Sequence, residues 1–170
     1  NYKDEINGKN FFPYFIENSV GVERSLFAFL CDAYQEGKGG RTKTTESSKE
    51  VEQVLNIHKD LAPVKVQILP LVRNKTEITK KAKKIYQEIK PFFSSFYDET
   101  GSIGRRYRRG DEVGVVVSVT CDFQTLEDDT VTLRDRDTME QIRVGASSLK
   151  EVISRILAGE NFSKLGKPVK

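Results

Sequence analysis

The chain has 170 residues, with 28 basic and 25 acidic side chains, a net charge of +3 and 37% apolar content. That is room for one ordinary domain, or one domain and a further piece, and no run nears the roughly 20 apolar residues of a membrane helix. Two cysteines and one histidine exclude a disulfide framework and a four-ligand zinc site, and with no secretory leader visible the expected setting is reduced and cytoplasmic.

Residues 1–19 predict the end of a sheet. Tyr2–Ile6 and Asn10–Ile16 flank Asn7 and Gly8, a pair suited to a tight hairpin turn. Residues 20–35 predict a helix. Val20, Val22, Leu26, Phe27, Ala28, Phe29, Leu30 and Ala33 make it apolar on most sides, which suits enclosure in a larger body. Gly37, Gly39, Gly40 and the polar run Arg41–Ser48 read as a linker, with a short helical stretch over Lys49–Leu55.

Strands and helices then alternate. Val64–Leu69 reads as a strand ended by Pro70. Thr76–Ile89 reads as an amphipathic helix with Ile78, Ala82, Ile85 and Ile89 on one face, stopped by Pro91. Phe92–Tyr97 is a second strand and Ile103–Arg109 a short basic helix. Val113–Val119, rich in β-branched residues, suits a buried central strand. Thr130–Arg134 and Met139–Val144 form a hairpin, and Ser147–Leu157 closes with a helix. The order β-α-β-α-β-β-β-α predicts an α/β fold, a mixed β-sheet flanked by helices. The expected divisions are residues 1–36, a linker or insertion over 37–60, a domain over 61–159 and a tail over 160–170.

Three groups of residues could carry chemistry. At the junction of strand and first helix, Gly21 admits close backbone approach, the helix start favours an anion, and Arg24 adds a cation. Glu17 could hold an ammonium group, with Ser19 beside it. The same residues equally describe an ordinary turn and a solvated first helical turn. In the second group Gly101 and Gly104 precede Arg105, Arg106, Tyr107, Arg108 and Arg109. This mixture of cations and a stacking ring suits single-stranded nucleic acid, or else a charged surface helix. The third is Thr132, Arg134, Asp135, Arg136, Asp137 and Thr138, able to read base edges or to neutralise itself in a turn. Lys80, Lys81, Lys83 and Lys84 read as a solvated face. One histidine leaves no Ser-His-Asp or Cys-His arrangement, and no P-loop pattern is present.

The string PYFIENSVGVERSLFAFLCDAY resembles the third signature motif of class II aminoacyl-tRNA synthetases, in the form found in the glycyl-tRNA synthetase family. LAPVKVQILPL, GSIGRRYRRGDEVGV and VTLRDRDTMEQIRV resemble that family's C-terminal anticodon-binding domain. The resemblance runs over roughly residues 10–158. It implies a glycine–tRNA ligase that uses ATP with Mg²⁺, glycine and tRNA(Gly), and works as a homodimer at full length. It implies that Arg24 is catalytic and that Gly21, Val22, Glu23 and Arg24 line the ATP site. Glu17, Asn18, Ser19, Val20 and Gly21 would bind glycine. Arg105, Arg106, Arg134 and Arg136 would meet the anticodon. Asn18 departs from the family's usual proline, which bears on loop stiffness more than on chemistry.

The first two class II motifs are absent. The chain therefore resembles a C-terminal fragment, a remnant of the antiparallel catalytic core followed by the anticodon-binding domain. Such a fragment is expected to be inactive alone, monomeric, free of bound metal or organic cofactor, and not membrane-bound. Two other readings stay open. One is a non-catalytic nucleic-acid-binding protein with a synthetase-like domain, of the polymerase accessory subunit type. The other is a plain α/β interaction module with a basic face.

Overall fold

The computed structural model describes residues 1–38 and 51–169. The chain opens on two short antiparallel strands, β1 (Tyr2–Lys3) and β2 (Asn10–Phe11). The hairpin expected here exists but is shorter, and its loop is wider than a two-residue turn. Asp4 shapes that loop by accepting the Ile6 N–H at 2.9 Å, and Gly8 supplies the positive φ of 65°. Residues 12–20 form no strand. Among the described residues no strand pairs with them, and Phe12, Phe15 and Ile16 are 79%, 79% and 93% exposed. Helix α1 (Val22–Ala33) follows. Its apolar residues face solvent, and Ala33 alone is buried.

Strand β3 (Tyr34–Lys38) pairs antiparallel with β4 (Val51–Leu55). The helix expected over Lys49–Leu55 is therefore a strand from Val51 onward. Alternation of exposed Val51 and Gln53 with buried Glu52 and Val54 has the period of a strand, not a helix. Lys49, Glu50, Gly39, Gly40 and Arg41–Ser48 lie outside the described residues. Ile57 and Ala62 already belong to the main core, so the chain after β4 is packed against the body.

The main body is a six-stranded mixed sheet in the order β10-β9-β8-β7-β5-β6. Its strands are β5 (Val66–Pro70), β6 (Ser95–Tyr97), β7 (Val117–Cys121), β8 (Thr130–Asp135), β9 (Gln141–Gly145) and β10 (Lys167–Pro168). β5 runs parallel to β6 and β7, and the remaining neighbours are antiparallel. The predicted mixed sheet flanked by helices is thus the observed architecture. Helix α2 spans Thr76–Ile89, the predicted bounds. Helix α3 runs three residues beyond its predicted end, over Ile103–Glu112. The central strand begins four residues later than predicted, because Gly114 at φ 77° turns the chain first. Phe92 and Phe93 close a turn on the Ile89 carbonyl instead of opening β6. Helix α4 (Phe123–Asp128) was not predicted. It is held by a capping box in which Asp122 and Thr125 bond reciprocally. Helix α5 (Leu149–Ala158) closes the body. The stretch expected as a tail instead supplies β10, the sheet's edge strand on β9.

Register divides the sheet into two unlike faces. Val66, Ile68, Val117, Val119, Cys121, Val131, Leu133, Ile142 and Val144 share one face, which forms a single core with Ile78, Ala82, Ile85 and Ile89 of α2 and the apolar side of α5. The other face is polar and carries α3. None of the described helices is long and apolar enough to cross a membrane.

Candidate nucleic-acid interface

The polar face is laid out by strand register. One row crosses Gln67, Ser118, Arg134 and Gln141, and the next crosses Leu69, Thr120, Thr132, Arg143 and Lys167. Facing residues on neighbouring strands stand about 5 Å apart, so each row, Leu69 apart, is a ladder of side-chain donors and acceptors. Helix α3 covers the β5 and β7 end of these ladders. Gly110 permits this approach, since a Cβ there would sit 2.2 Å from Nε2 of Gln67. That amide donates to Ser118 Oγ at 2.6 Å. The hydroxyls of Tyr107 and Thr120 meet at 2.6 Å. Burial raises the Tyr107 pKa and keeps the phenol neutral.

Three of the four arginines expected at the anticodon lie inside the protein. Arg106, Arg134 and Arg136 are 1%, 2% and 3% exposed. Arg134 donates to both Asp111 oxygens, at 2.9 and 3.0 Å, and lies 5.0 Å from the Tyr107 ring centroid. Arg106 donates to the carbonyls of Pro70 and Leu71 and so fastens α3 to the end of β5. Arg136 donates to Asp137, to the Gly114 carbonyl at 3.1 Å and to Asn56 Oδ1 at 2.9 Å. A buried guanidinium must satisfy its donors internally, and these three do so with acceptors of this chain. All three guanidinium groups thus hold α3, the end of β5 and the β8–β9 turn together from beneath the polar face. Arg105 alone of the four is exposed.

The carboxyl ends of β5, β6 and β7 share one edge, the usual place for ligands in open α/β sheets. After β5 come exposed Arg73, Asn74 and Lys75. After β6, Asp98 accepts the Thr100 N–H at 2.8 Å and Arg109 Nε at 3.1 Å, and Arg109 also donates to the Thr100 carbonyl at 2.6 Å. Gly101, at φ 79°, then turns the chain into α3. Burial opposes ionisation of Asp98, but the Thr100 N–H and Arg109 outweigh it and hold its carboxyl below the usual range. After β7, Asp122 pairs with Arg143 from β9, which also donates to Thr130 Oγ1 at 3.0 Å. Burial again opposes ionisation, and Arg143 and Thr125 again prevail, so Asp122 too is held low. This edge thus joins fixed carboxylates to exposed cations, an arrangement able to take up phosphates and present donors to bases.

Tyr107 and Thr132 belong to the groups picked out from the sequence, whereas Asp122, Gln141, Arg143 and Lys167 do not. The signal was present as period-2 alternation, with polar Thr132, Arg134, Gln141 and Arg143 set between apolar Val131, Leu133, Ile142 and Val144.

The other predicted residues stand apart from this surface. Glu17, Asn18, Ser19, Val20 and Gly21 precede α1 without regular structure, and Val22, Glu23 and Arg24 form its first turn; all are exposed. A Cβ on Gly21 would meet nothing within 4 Å. Among the described residues Glu17 and Arg24 form no ion pair. Nor do three His, Cys, Asp or Glu side chains gather there to hold a metal ion.

Residues 65–156 match the Anticodon binding domain family. The chain is 41% identical over 170 residues to a glycine–tRNA ligase of Aeropyrum pernix, covering 99% of this chain and 27% of that protein. It is 46% identical over 156 residues to the glycine–tRNA ligase of Caldanaerobacter subterraneus subsp. tengcongensis, covering 92% and 32%. With that of Borreliella burgdorferi the identity is 41%, covering 96% and 35%. The chain thus spans about a third or less of the length of these relatives. Among solved structures, prolyl-tRNA synthetase from Cryptosporidium parvum with L-proline and AMP superposes with a TM-score of 0.56 at 23% identity, over 64% of this chain and 23% of that one. That likeness concerns the fold. On the match across 65–156, and with a sheet whose polar face and carboxyl edge are built as described, the chain belongs to the anticodon-binding-domain family.

Proposed function

We propose that this chain is the anticodon-reading part of a glycine–tRNA ligase, an enzyme converting ATP, glycine and tRNA(Gly) to glycyl-tRNA, AMP and diphosphate. The observation that carries the reading is the polar sheet face beside α3, set in a domain whose curated relatives bear that name. Exposed Arg73, Lys75 and Arg105 would take backbone phosphates of the anticodon loop. Half-buried Gln141, with Arg143 and Asp122 that fix each other, would meet base edges, where unstacked bases are read. Arg106, Arg134 and Arg136 keep α3, the β5 edge and the β8–β9 turn in place, so that the donors are set before RNA arrives.

In the same reading residues 1–36 belong to the catalytic part, 37–60 connect, and 61–159 with the added β10 bind RNA. Arg24 would lie against ATP with Gly21, Val22 and Glu23. Glu17, Asn18, Ser19, Val20 and Gly21 would hold glycine. Their part is binding and orientation rather than proton transfer. The Mg²⁺ that accompanies ATP finds no ligand set among the described residues, and no step on this chain is routed through it. The whole enzyme would be a cytoplasmic homodimer. This chain alone would not support glycine-dependent pyrophosphate exchange.

The test is binding of the chain to a tRNA(Gly) anticodon stem-loop and to the same loop with its second and third anticodon bases changed, at two salt concentrations. Preference for the native loop, kept at the higher salt, is expected. Equal binding that collapses with salt would reduce the surface to a basic patch and end the proposal.

A further inference from the structure

Beyond Arg143 a cleft of about 530 Å³ opens where the ends of β8 and β9 meet the segment leading into β10. Its size falls within the roughly 300–1,000 Å³ of ligand clefts. Arg143, Lys164, Lys167, Asp128, Thr130 and Ser148 supply its polar walls. The two carboxylates nearby are already engaged. Asp122 pairs with Arg143. Asp128 accepts the Thr130 hydroxyl and N–H at 2.6 and 3.0 Å and the Gln124 amide at 2.8 Å. Lys164 and Lys167 are exposed and pair with no carboxylate among the described residues. With Arg143 paired to Asp122 and Asp128 anionic but held by uncharged donors, the two lysines leave positive charge in excess in the cleft.

The lysines sit on fixed backbone. Phe162 is buried in the core, and the Asn161 side chain caps the 3-10 turn Phe162–Lys164 by accepting the Ser163 N–H at 3.1 Å. Gly166 then passes tight against β9, where a Cβ would lie 2.8 Å from both the Arg143 carbonyl oxygen and Val144 Cγ1. Lys167 stands opposite Arg143 in register, so the cleft continues the polar face without a break.

We propose that this cleft takes one ribose-phosphate unit of RNA flanking the bases read on the polar face. Lys164 and Lys167 meet the phosphate, and Asp128 and the Thr130 and Ser148 hydroxyls line the side that a 2′-hydroxyl would face. The inference rests on the reading given under Proposed function. It adds a phosphate contact which positions the RNA and carries no base preference.

The test is a salt series of binding to the native and base-changed stem-loops, with the unaltered chain, Lys164→Ala/Lys167→Ala and the charge-keeping Lys164→Arg/Lys167→Arg. Thermal melting of each variant verifies folding. The alanine pair should weaken binding about fivefold per lysine at low salt and lower the slope of log affinity against log salt by about 1 per lost phosphate contact. The ratio between native and changed loops should stay the same, and the arginine pair should keep the slope. Unchanged slope and affinity in a folded alanine variant, while the unaltered chain still discriminates the loops, would overturn the cleft alone. Failure of the unaltered chain to discriminate would overturn the anticodon reading and the cleft with it.

Discussion

Helix α1 and the sheet are both rich in apolar residues, yet they meet opposite fates. Val66, Ile68, Val117 and Leu133 are fully buried, whereas Phe12, Phe15, Ile16, Val22 and Phe27 lie largely in solvent. The difference is one of neighbours, not of composition. In the body, alternation puts apolar side chains on one face of paired strands, and α2 and α5 cover them. In the arm, the first 33 residues offer one short strand pair and one helix, too little to enclose either. Apolar sequence sets what must be buried, and only a partner surface buries it. The body is therefore where single substitutions should cost stability.

The largest expected effect is at the buried pair under α3. Asp111→Ala leaves Arg134 buried without its carboxylate and should cost about 3–5 kcal/mol. Arg24→Ala in the arm should change stability by no more than about 0.5 kcal/mol. Urea unfolding of both variants measures the contrast. If Asp111→Ala were as mild as Arg24→Ala, the pair would not be the pin it is taken for.

Two glycines sharpen the same contrast at smaller scale. Gly110→Ala drives a methyl into Gln67 and should destabilise by about 1–3 kcal/mol. Gly21→Ala meets open space at φ −76° and should be nearly neutral, within about 0.5 kcal/mol. Denaturation midpoints of the two variants give the comparison, and a costly Gly21→Ala would mean that the arm packs more tightly than described.

Acid should act on the body through its edge. Asp98 and Asp122 are held below the unfolded value of about 3.9. Their stabilisation is complete above that value and is lost as pH falls through the folded values, because the unfolded chain then binds more protons. Urea midpoints measured from pH 6 down to pH 2.5 should fall below about pH 4. Asp122→Asn should start lower at neutral pH and fall less steeply. A slope identical to that of the unaltered chain would remove Asp122 from the account.

Much of the body was legible in the chain because its signals are local. The i, i+4 and i+7 spacing of Ile78, Ala82, Ile85 and Ile89, with Pro91 just past the end, fixes α2 at its observed bounds. The shift of β7 was not legible, because Val113–Val116 is as β-branched as the strand itself and only the turn at Gly114 decides where pairing starts. Strand β10 was missed because a two-residue edge strand has no periodicity to read. For the site, the basic clusters were visible, but which arginines face inward depends on Asp111, Asn56 and the Pro70 carbonyl. These lie 23, 80 and 36 residues from their partners Arg134, Arg136 and Arg106. Charge in a string marks the region, and long-range register decides which charges remain on the surface.

The most direct measurement is amide hydrogen exchange of the full chain with and without the native tRNA(Gly) anticodon stem-loop. The account predicts added protection at the start of α3, in the loop after β5 and along β8 and β9, with the first 33 residues unchanged. Protection confined to those first 33 residues, with the polar face exchanging as freely as before, would contradict it.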